Sequence, residues 1–327
     1  MKKSTNQRTP DAQSEPVKVR FVTVSEDDAG RRLDNYLLMQ AAGVPRPRVY
    51  RAIRGGEVRV NKGRSTPGYR LACGDVVRIP PFRMAAKSVA AASGDSQSTI
   101  SRTIVERHKA YYVINKPSGW AVHGGSGVSL GVIETLRQAL PHEPYLELAH
   151  RLDRETSGCL VIARKRSFLR ELHRQIREHE VGKTYLLLVR GHWDYGRYRC
   201  ELHLHTHHRQ GGERYVQVAA DGKYCRTDFR PVEFYSGATL LEAQLHTGRT
   251  HQIRVHCAQL GHPIAGDERY GDDEFNKAMQ RHRLQRLFLH ASSFTFEYPE
   301  GNPCQISAPL PDDLASVLGG LHTKRRK

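Results

Sequence analysis

Apolar residues recur in two different arrangements, which divide the chain into a short unit followed by a longer one. The first unit, residues 19–81, mixes strand-like alternation with helical spacing and closes at Pro80-Pro81. Its pattern predicts a strand around Val22, helices over 31–42 and 45–54, and strands over 57–61 and 76–79. We therefore expect a small, independent helix-and-sheet domain.

The second unit, residues 104–315, consists mainly of short apolar runs of strand length. Strands are predicted over 111–114, 145–149, 159–163, 183–189, 227–233, 238–245, 286–290, 292–298 and 304–308. Helices are predicted around 133–140, from an N-cap at Ser167, and from an N-cap at Thr250 to about Leu260. This unit is the candidate for chemistry.

Three segments contain too few apolar residues, or too little periodicity, to form a core. Residues 1–18 are predicted to be a disordered basic tail, 82–103 a flexible linker, and 316–327 a basic carboxy-terminal tail. The two domains are therefore expected to reorient relative to each other.

The charge of the chain favours a polyanionic partner. Lys and Arg number 51 against 34 Asp and Glu, a formal net charge of +17, and nucleic acid is the leading candidate. A membrane surface is the competing partner, but the sequence has neither a long apolar run nor a basic helix with a bulky apolar face. The six cysteines form no CxxC pair, which predicts reduced thiols and a cytoplasmic location.

The segment His150-Arg-Leu-Asp-Arg-Glu-Thr-Ser-Gly158 places Asp153 between two arginines. Apolar runs of strand length lie on both sides, so the segment is predicted to be a loop held between buried strands. Loops on rigid scaffolds often carry function, but a surface ion-pair cluster would give the same pattern. These nine residues alone favour neither interpretation.

Arginines at positions 48, 51 and 54 recur along one side of the predicted helix at 45–54. Such a row suits a phosphate backbone, because each guanidinium can make paired contacts with phosphate oxygens. A solvated helix face is the alternative. For Tyr185, near the start of a predicted strand, a core position is favoured by its surroundings alone.

Two further segments look like ligand-binding sequences, but we expect neither of them to bind a ligand. Val122-His-Gly-Gly-Ser-Gly127 lacks the residues of a nucleotide-binding loop, so no nucleotide cofactor is predicted. His203-Leu-His-Thr-His-His208 suggests a metal site, but no zinc-like ligand spacing accompanies it. An exposed hairpin explains the histidines without a metal.

Several of these motifs together resemble known families. Arg32-Leu-Asp34, the 45–54 helix, Gly56-Glu-Val-Arg-Val-Asn61 and Gly74-Asp-Val-Val77 resemble an S4 RNA-binding domain. Four motifs of the second unit resemble the RluA-type pseudouridine synthases in order and approximate spacing. They are 115–119, 150–158, 183–189 and 248–256. The S4 module narrows the resemblance to the RluC and RluD branch, although 203–208 departs from the apolar stretch expected there.

The resemblance implies an α+β fold with a mixed, largely antiparallel sheet and a central cleft. It also implies isomerisation of uridines in large-subunit (23S) ribosomal RNA to pseudouridine, by a monomeric enzyme that uses neither cofactor nor metal. Because a stacked uridine cannot reach such a cleft, base flipping is implied as well. Two alternatives remain open: a non-catalytic ribosome-assembly factor and a metal-dependent RNA hydrolase.

The resemblance also implies residue roles. Asp153 is the catalytic aspartate, which could attack C1′ or C6 or promote a glycal route. Arg254 is its basic partner, expected to pair with it and lower its pKa by about 1 to 3 units. Tyr185 is expected to stack on the flipped uracil and to assist proton removal at C5. Arg151 is expected to enter the RNA. Lys116 is placed among the RNA-binding residues with Arg48, Arg51 and Arg54, although a role in supporting the fold is favoured for it.

Overall fold

The structure, a computed structural model, describes residues 18–41, 44–82, 92–124, 130–208, 214–298 and 301–322. Within these residues the chain forms two compact units, one up to residue 82 and one from residue 92. Several predictions fall outside the described residues: the tail at 1–17, the linker over 83–91, the end of the glycine-rich loop, the turn at 209–213, and residues 323–327.

The first unit has the predicted order of strands and helices. Its elements are β1 (Arg20–Thr23), α1 (Leu33–Gln40), α2 (Arg46–Arg54), β2 (Arg59–Val60) and β3 (Val76–Ile79), with a 3-10 turn at Glu26–Asp28. The strands form an antiparallel sheet in the order β1-β3-β2. One face of α2, formed by Val49, Ala52 and Ile53, is buried in the core, which leaves its arginine side toward solvent.

The predicted flexible linker is wrong over its second half. Residues Gly94–Arg102 form helix α3, capped by the Ser93 side chain, which accepts a hydrogen bond from the Ser96 backbone N–H. Ile100 on this helix is fully buried in the core of the second unit. A single apolar side chain therefore anchors a helix whose remaining residues are almost all polar.

The second unit is built on one large sheet. Its strands are β4 (Ile104–Arg107), β5 (Tyr111–Lys116), β6 (Glu147–Leu148), β7 (Ser157–Ala163), β8 (Gly182–Arg190), β9 (Tyr198–His208), β10 (Arg214–Val218), β11 (Lys223–Tyr235), β12 (Ala238–Leu245), β13 (Leu289–Glu297) and β14 (Pro303–Ser307). The main path runs β10-β9-β11-β12-β8-β13-β7-β5-β4, with β6 on β7 and β14 on β13. Together with the helices below, this confirms the α+β fold.

Helices pack around this sheet. They are α4 (Val132–Ala139), α5 (Arg166–Arg177), α6 (Gln252–Gln259), α7 (Asp273–Arg281) and α8 (Asp312–Gly319). The predicted basic tail from residue 316 is wrong up to residue 322, because α8 continues to Gly319 and Leu321 is buried beyond it. Leu314 and Val317 on α8 join a core cluster with α7, so this end of the chain is part of the fold.

The sheet is mixed at its centre, where β7 and β13 run parallel over two residue pairs. The other strand pairs formed by the described residues are antiparallel. Gly158 lies in this parallel contact with φ +113°, and a Cβ added there would lie 2.2 Å from the Ala291 carbonyl oxygen. Only glycine permits this close approach, which fixes the strand that follows the Asp153 loop.

Candidate active site

Asp153 lies in a loop between β6 and β7, as the sequence predicts. The hairpin formed by these strands pairs Leu148 with Ile162 and leaves residues 149–156 as the connection. The His150 ring stacks on Phe294, and its Nε2 atom accepts a hydrogen bond from the Val161 backbone N–H at 3.1 Å. Burial lowers the pKa of His150 to about 3, so the neutral ring can fill this role at neutral pH. These two contacts of His150 hold the beginning of the loop in place.

Lys116 holds the other side of this loop. Its side chain is fully buried, and Nζ donates hydrogen bonds to the carbonyl oxygens of Pro117, Trp120 and Arg154 at 2.8, 2.8 and 2.9 Å. A lysine in this position has no surface to offer to RNA, so its placement among the RNA-binding residues is wrong. The favoured supporting role agrees with these contacts, which tie the 116–120 turn to the residue after Asp153.

A cavity of about 620 Å³ opens beside the loop, and Asp153, Tyr185 and Arg254 all line it. They come from the loop, from β8 and from α6, so residues distant in sequence meet here. Arg151, which is exposed, lines the same cavity. The three predicted catalytic residues thus share one site.

The Asp153 carboxylate has no hydrogen-bond or ion-pair partner among the described residues. Its negative charge acts on its neighbours all the same: it favours the charged form of Arg254 and opposes ionisation of Tyr185. Burial raises the pKa of Tyr185, and the charge of Asp153 raises it further. The phenol is therefore neutral at physiological pH, and the carboxylate oxygens are free to meet a substrate.

Arg254 pairs with Asp267, which the sequence analysis did not single out. The guanidinium donates through Nε and Nη2 to the two Asp267 oxygens at 2.7 and 2.6 Å, and both side chains are buried. The predicted direct pair between Arg254 and Asp153 is wrong, because Asp267 occupies the fork of the guanidinium. Burial opposes ionisation of Asp267, but hydrogen bonds from Arg254 and two backbone N–H groups outweigh it and lower its pKa.

Two neighbouring cavities meet at Asp153. A second cavity, of about 680 Å³, shares Asp153, His251 and Arg254 with the first. We call the first the basic cavity, because Arg151, Arg177, Lys183 and Arg249 line it and Asp153 is the one carboxylate among its described lining residues. In the second cavity Arg154, Arg269 and Arg286 are offset by Glu155 and Glu268, so its lining is less strongly positive. Charge therefore favours a polyanion in the basic cavity.

The arginines of α2 differ in their availability. Arg48 donates two hydrogen bonds to Glu57 at 2.9 and 2.7 Å and lies 5.3 Å from the Phe82 ring centroid. Its predicted RNA-binding role is therefore not supported by its contacts, which are internal to the unit. Arg51 and Arg54 are exposed, as the phosphate-binding hypothesis requires.

The histidine-rich segment forms a strand of a long hairpin, β9 against β10 and β11. His205 and His207 stack on one side with ring centroids 4.5 Å apart, whereas Leu204 is buried on the other side. No group of three or more potential metal ligands occurs in the described part of the chain.

Among the described helices, none has the length and apolar character of a membrane span.

Sequence reasoning missed residues whose roles depend on tertiary contacts. Asp267 and Tyr270 lie in a segment, 266–271, that was not singled out from the sequence. Its signal was present in Gly266 and Gly271, where an added Cβ would clash with the backbone of Arg286 and Asp267. His251 was not singled out from the sequence either; it lines both cavities.

Comparison with known proteins agrees with this geometry. The family model described as RNA pseudouridylate synthase matches residues 110–259, and the S4 domain model matches residues 31–77. The solved structure of human RNA Pseudouridylate Synthase Domain Containing 1 has a TM-score of 0.56 at 27% identity, covering 68% of this chain and 88% of that one. A second human structure, Domain Containing 4, shares the fold with a TM-score of 0.58 at 23% identity over 71% of this chain and 97% of that one.

The chain belongs to the RNA pseudouridine synthase family and carries an S4 domain in front of the catalytic domain. Ribosomal large subunit pseudouridine synthase C of Pasteurella multocida is 49% identical over 310 residues, which cover 94% of this chain and 95% of that protein. The enzyme of the same name from Escherichia coli O157:H7 is 47% identical over 317 residues, covering 95% and 99%. The resemblance to the RluA-type enzymes is thereby confirmed.

Proposed function

We propose that this enzyme isomerises specific uridines of large-subunit ribosomal RNA to pseudouridine. The observation that carries the proposal is the Asp153 carboxylate, which lies without an ion-pair partner among the described residues, in one cavity with Tyr185 and Arg254. The substrate class is supported by the names of the two relatives and by the net charge of +17. We further propose that the enzyme acts as a monomer in the cytoplasm.

In the proposed reaction, Asp153 acts on the ribose or the base while the bond between C1′ and N1 breaks. The electron pair leaves with uracil, which turns so that C5 can bond to C1′. An ionised carboxylate suits this step either as a nucleophile or as an electrostatic stabiliser. No redox equivalent is consumed, and uracil itself is the nucleophile of the second step.

Tyr185 is proposed to stack on the flipped uracil and to assist removal of the C5 proton. Because its phenol is neutral, it can do so only as a relay: the oxygen accepts the C5 proton while its own proton passes to another base. The freed Asp153 carboxylate, which lines the same cavity, is such a base, and the proton is finally returned to N1, which carries a hydrogen in pseudouridine.

Arg254 is proposed to act through its charge and not through a direct pair with Asp153. The bidentate bond to Asp267 fixes the guanidinium, whose charged form the negative charge of Asp153 also favours. Neither cofactor nor metal enters the proposed chemistry.

RNA is proposed to approach through the basic cavity, where Arg151 helps to hold the target nucleotide out of its stack. Arg51 and Arg54 of the S4 domain are proposed to contact phosphates. For the domain limits we propose residues 19–82 for RNA binding and 92–322 for catalysis.

The test is a pseudouridine map of ribosomal RNA from cells that lack the gene. We expect at least one uridine of the large-subunit RNA to lose its modification, and the wild-type gene but not Asp153→Asn to restore it. If every site remains modified in the deletion strain, the proposal is wrong. The Asp153→Asn protein should still bind the RNA; if it also restores every cellular defect of the deletion, a role in ribosome assembly independent of catalysis is favoured.

A further inference from the structure

His251 lies where the two cavities meet, beside Asp153 and Arg254. It is the residue immediately before α6, and its backbone is left-handed with φ +51°. Such a conformation is uncommon for a residue other than glycine and is found preferentially at functional sites. The side chain is therefore set in place by its own backbone and by the start of the helix that carries Arg254.

The hydrogen bonds around Tyr270 fix which His251 nitrogen carries the proton. The Tyr270 hydroxyl accepts a hydrogen bond from the Val216 backbone N–H at 3.0 Å and lies 2.9 Å from His251 Nδ1. The hydroxyl proton has no other acceptor among the described residues, so it is donated to Nδ1. A neutral imidazole that accepts at Nδ1 carries its own proton at Nε2.

The ring is neutral at physiological pH, because burial lowers the pKa of His251 to about 4 despite the opposing charge of Asp153. Its Nε2–H has no partner among the described residues of the protein. The site therefore contains a fixed, uncharged donor beside the carboxylate that faces the substrate.

We propose that His251 is a further catalytic residue, whose Nε2–H donates a hydrogen bond to a carbonyl oxygen of the target uracil. This inference rests on the proposed function. When the bond between C1′ and N1 breaks, its electron pair goes to N1 and is delocalised onto the two carbonyl oxygens of the base. A donor placed there stabilises the departing base, and His251 keeps its proton throughout.

Tyr270 is a positioning residue in this arrangement, because it acts on the base only through the imidazole. Its ring also lies 5.0 Å from the Arg254 guanidinium and packs edge-on to His251, with centroids 5.5 Å apart. Removing its hydroxyl would leave the ring packing in place but would free the imidazole to exchange its proton between the two nitrogens.

The experiment compares single-turnover rates and RNA affinities of four variants with those of the wild-type enzyme. His251→Asn tolerates the left-handed backbone and places its amide near the position of Nδ1, so it keeps the contact with Tyr270 but not the donor. His251→Gln has the reach to place an N–H near the position of Nε2. Tyr270→Phe removes the hydroxyl group that keeps the imidazole proton on Nε2, which we call the tautomer lock. His203→Asn, at an exposed histidine of β9, is the control.

We expect His251→Asn to slow the chemical step by about a hundredfold, the order expected for one oxyanion-type donor, while the RNA dissociation constant stays unchanged. His251→Gln should recover part of the rate, Tyr270→Phe should lose less than His251→Asn, and His203→Asn should match the wild type.

A loss that appears only in affinity would overturn the proposal, as would equal rates for His251→Asn and His251→Gln. If His251→Asn fails to fold, His251→Gln and Tyr270→Phe still decide, because wild-type rates in Tyr270→Phe would exclude the tautomer lock. Failure of the proposed function is distinct, since it would appear as a wild-type enzyme that forms no pseudouridine.

Discussion

The guanidinium of Arg254 makes its two short hydrogen bonds with Asp267, whereas Asp153 lies beside it with no such bond. The carboxylate of Asp267 also accepts backbone N–H bonds from Arg269 and Tyr270 at 2.9 and 3.0 Å. An arginine held in this way keeps a fixed positive charge next to the Asp153 carboxylate without forming a hydrogen bond to it. The ion pair between Arg254 and Asp267 therefore stabilises the domain and also holds a positive charge beside Asp153.

Asp267→Ala is expected to destabilise the protein and to slow catalysis. Removing one partner of a buried pair leaves the other charge uncompensated, which costs about 3–5 kcal/mol. Glu242→Ala provides the control, because it breaks a half-exposed pair with Arg230 worth about 0.2–1 kcal/mol. Denaturant unfolding and single-turnover rates measure the two effects. Equal destabilisation by the two variants would refute the structural role of Asp267.

How much of this site was predictable depends on the range of the interactions. The Asp153 loop followed from apolar runs on either side, because a strand–loop–strand unit is encoded locally. The meeting of Asp153, Tyr185 and Arg254 came from the resemblance, since no local pattern places β8 and α6 beside the loop. The choice of Asp267 as the partner of Arg254 required the folded chain, because no local pattern in the sequence distinguishes it from Asp153.

The boundaries of the helices also depend on contacts that the local sequence does not reveal. Thr250 was predicted to cap α6, but the helix begins after His251, and the Gln252 side chain accepts the Arg249 backbone N–H in the preceding turn at 3.1 Å. The linker prediction failed at α3 because polar composition masked one buried isoleucine, Ile100. Local composition indicates whether a segment can form a core of its own, not whether it packs on a neighbouring one.

Stability should depend on His150 in mild acid. The pKa of His150 is about 3 in the folded protein and about 6.5 when unfolded. Between these values the unfolded chain binds a proton that the folded one does not, so His150 adds no penalty above the upper value and destabilises the fold progressively as the pH falls. In His150→Gln this pH dependence should weaken, as measured by denaturant midpoints across the range. An unchanged pH profile would contradict the assignment.

The three arginines of α2 should differ in how much they contribute to RNA binding. Arg51→Ala and Arg54→Ala are each expected to weaken binding and to reduce the salt dependence of affinity by about one charge. Arg48→Ala should change that slope less, because its guanidinium is already paired with Glu57, and should instead lower the unfolding temperature. Titrations at several salt concentrations test this. A slope change for Arg48→Ala as large as that for Arg51→Ala would show that the ion pair opens to RNA.

Tyr185→Phe separates the two proposed roles of the tyrosine. The ring that stacks on uracil is retained, so RNA affinity should be unchanged, whereas the hydroxyl relay is lost. The rate of product formation should fall by about 10²–10⁴-fold, the usual contribution of a positioned proton-transfer group. Deuterium at C5 of the target uridine supplies the check: the isotope effect on product formation should be larger in the variant, where proton removal has become slower. If the variant keeps the wild-type rate and isotope effect, Tyr185 serves only as a stacking surface.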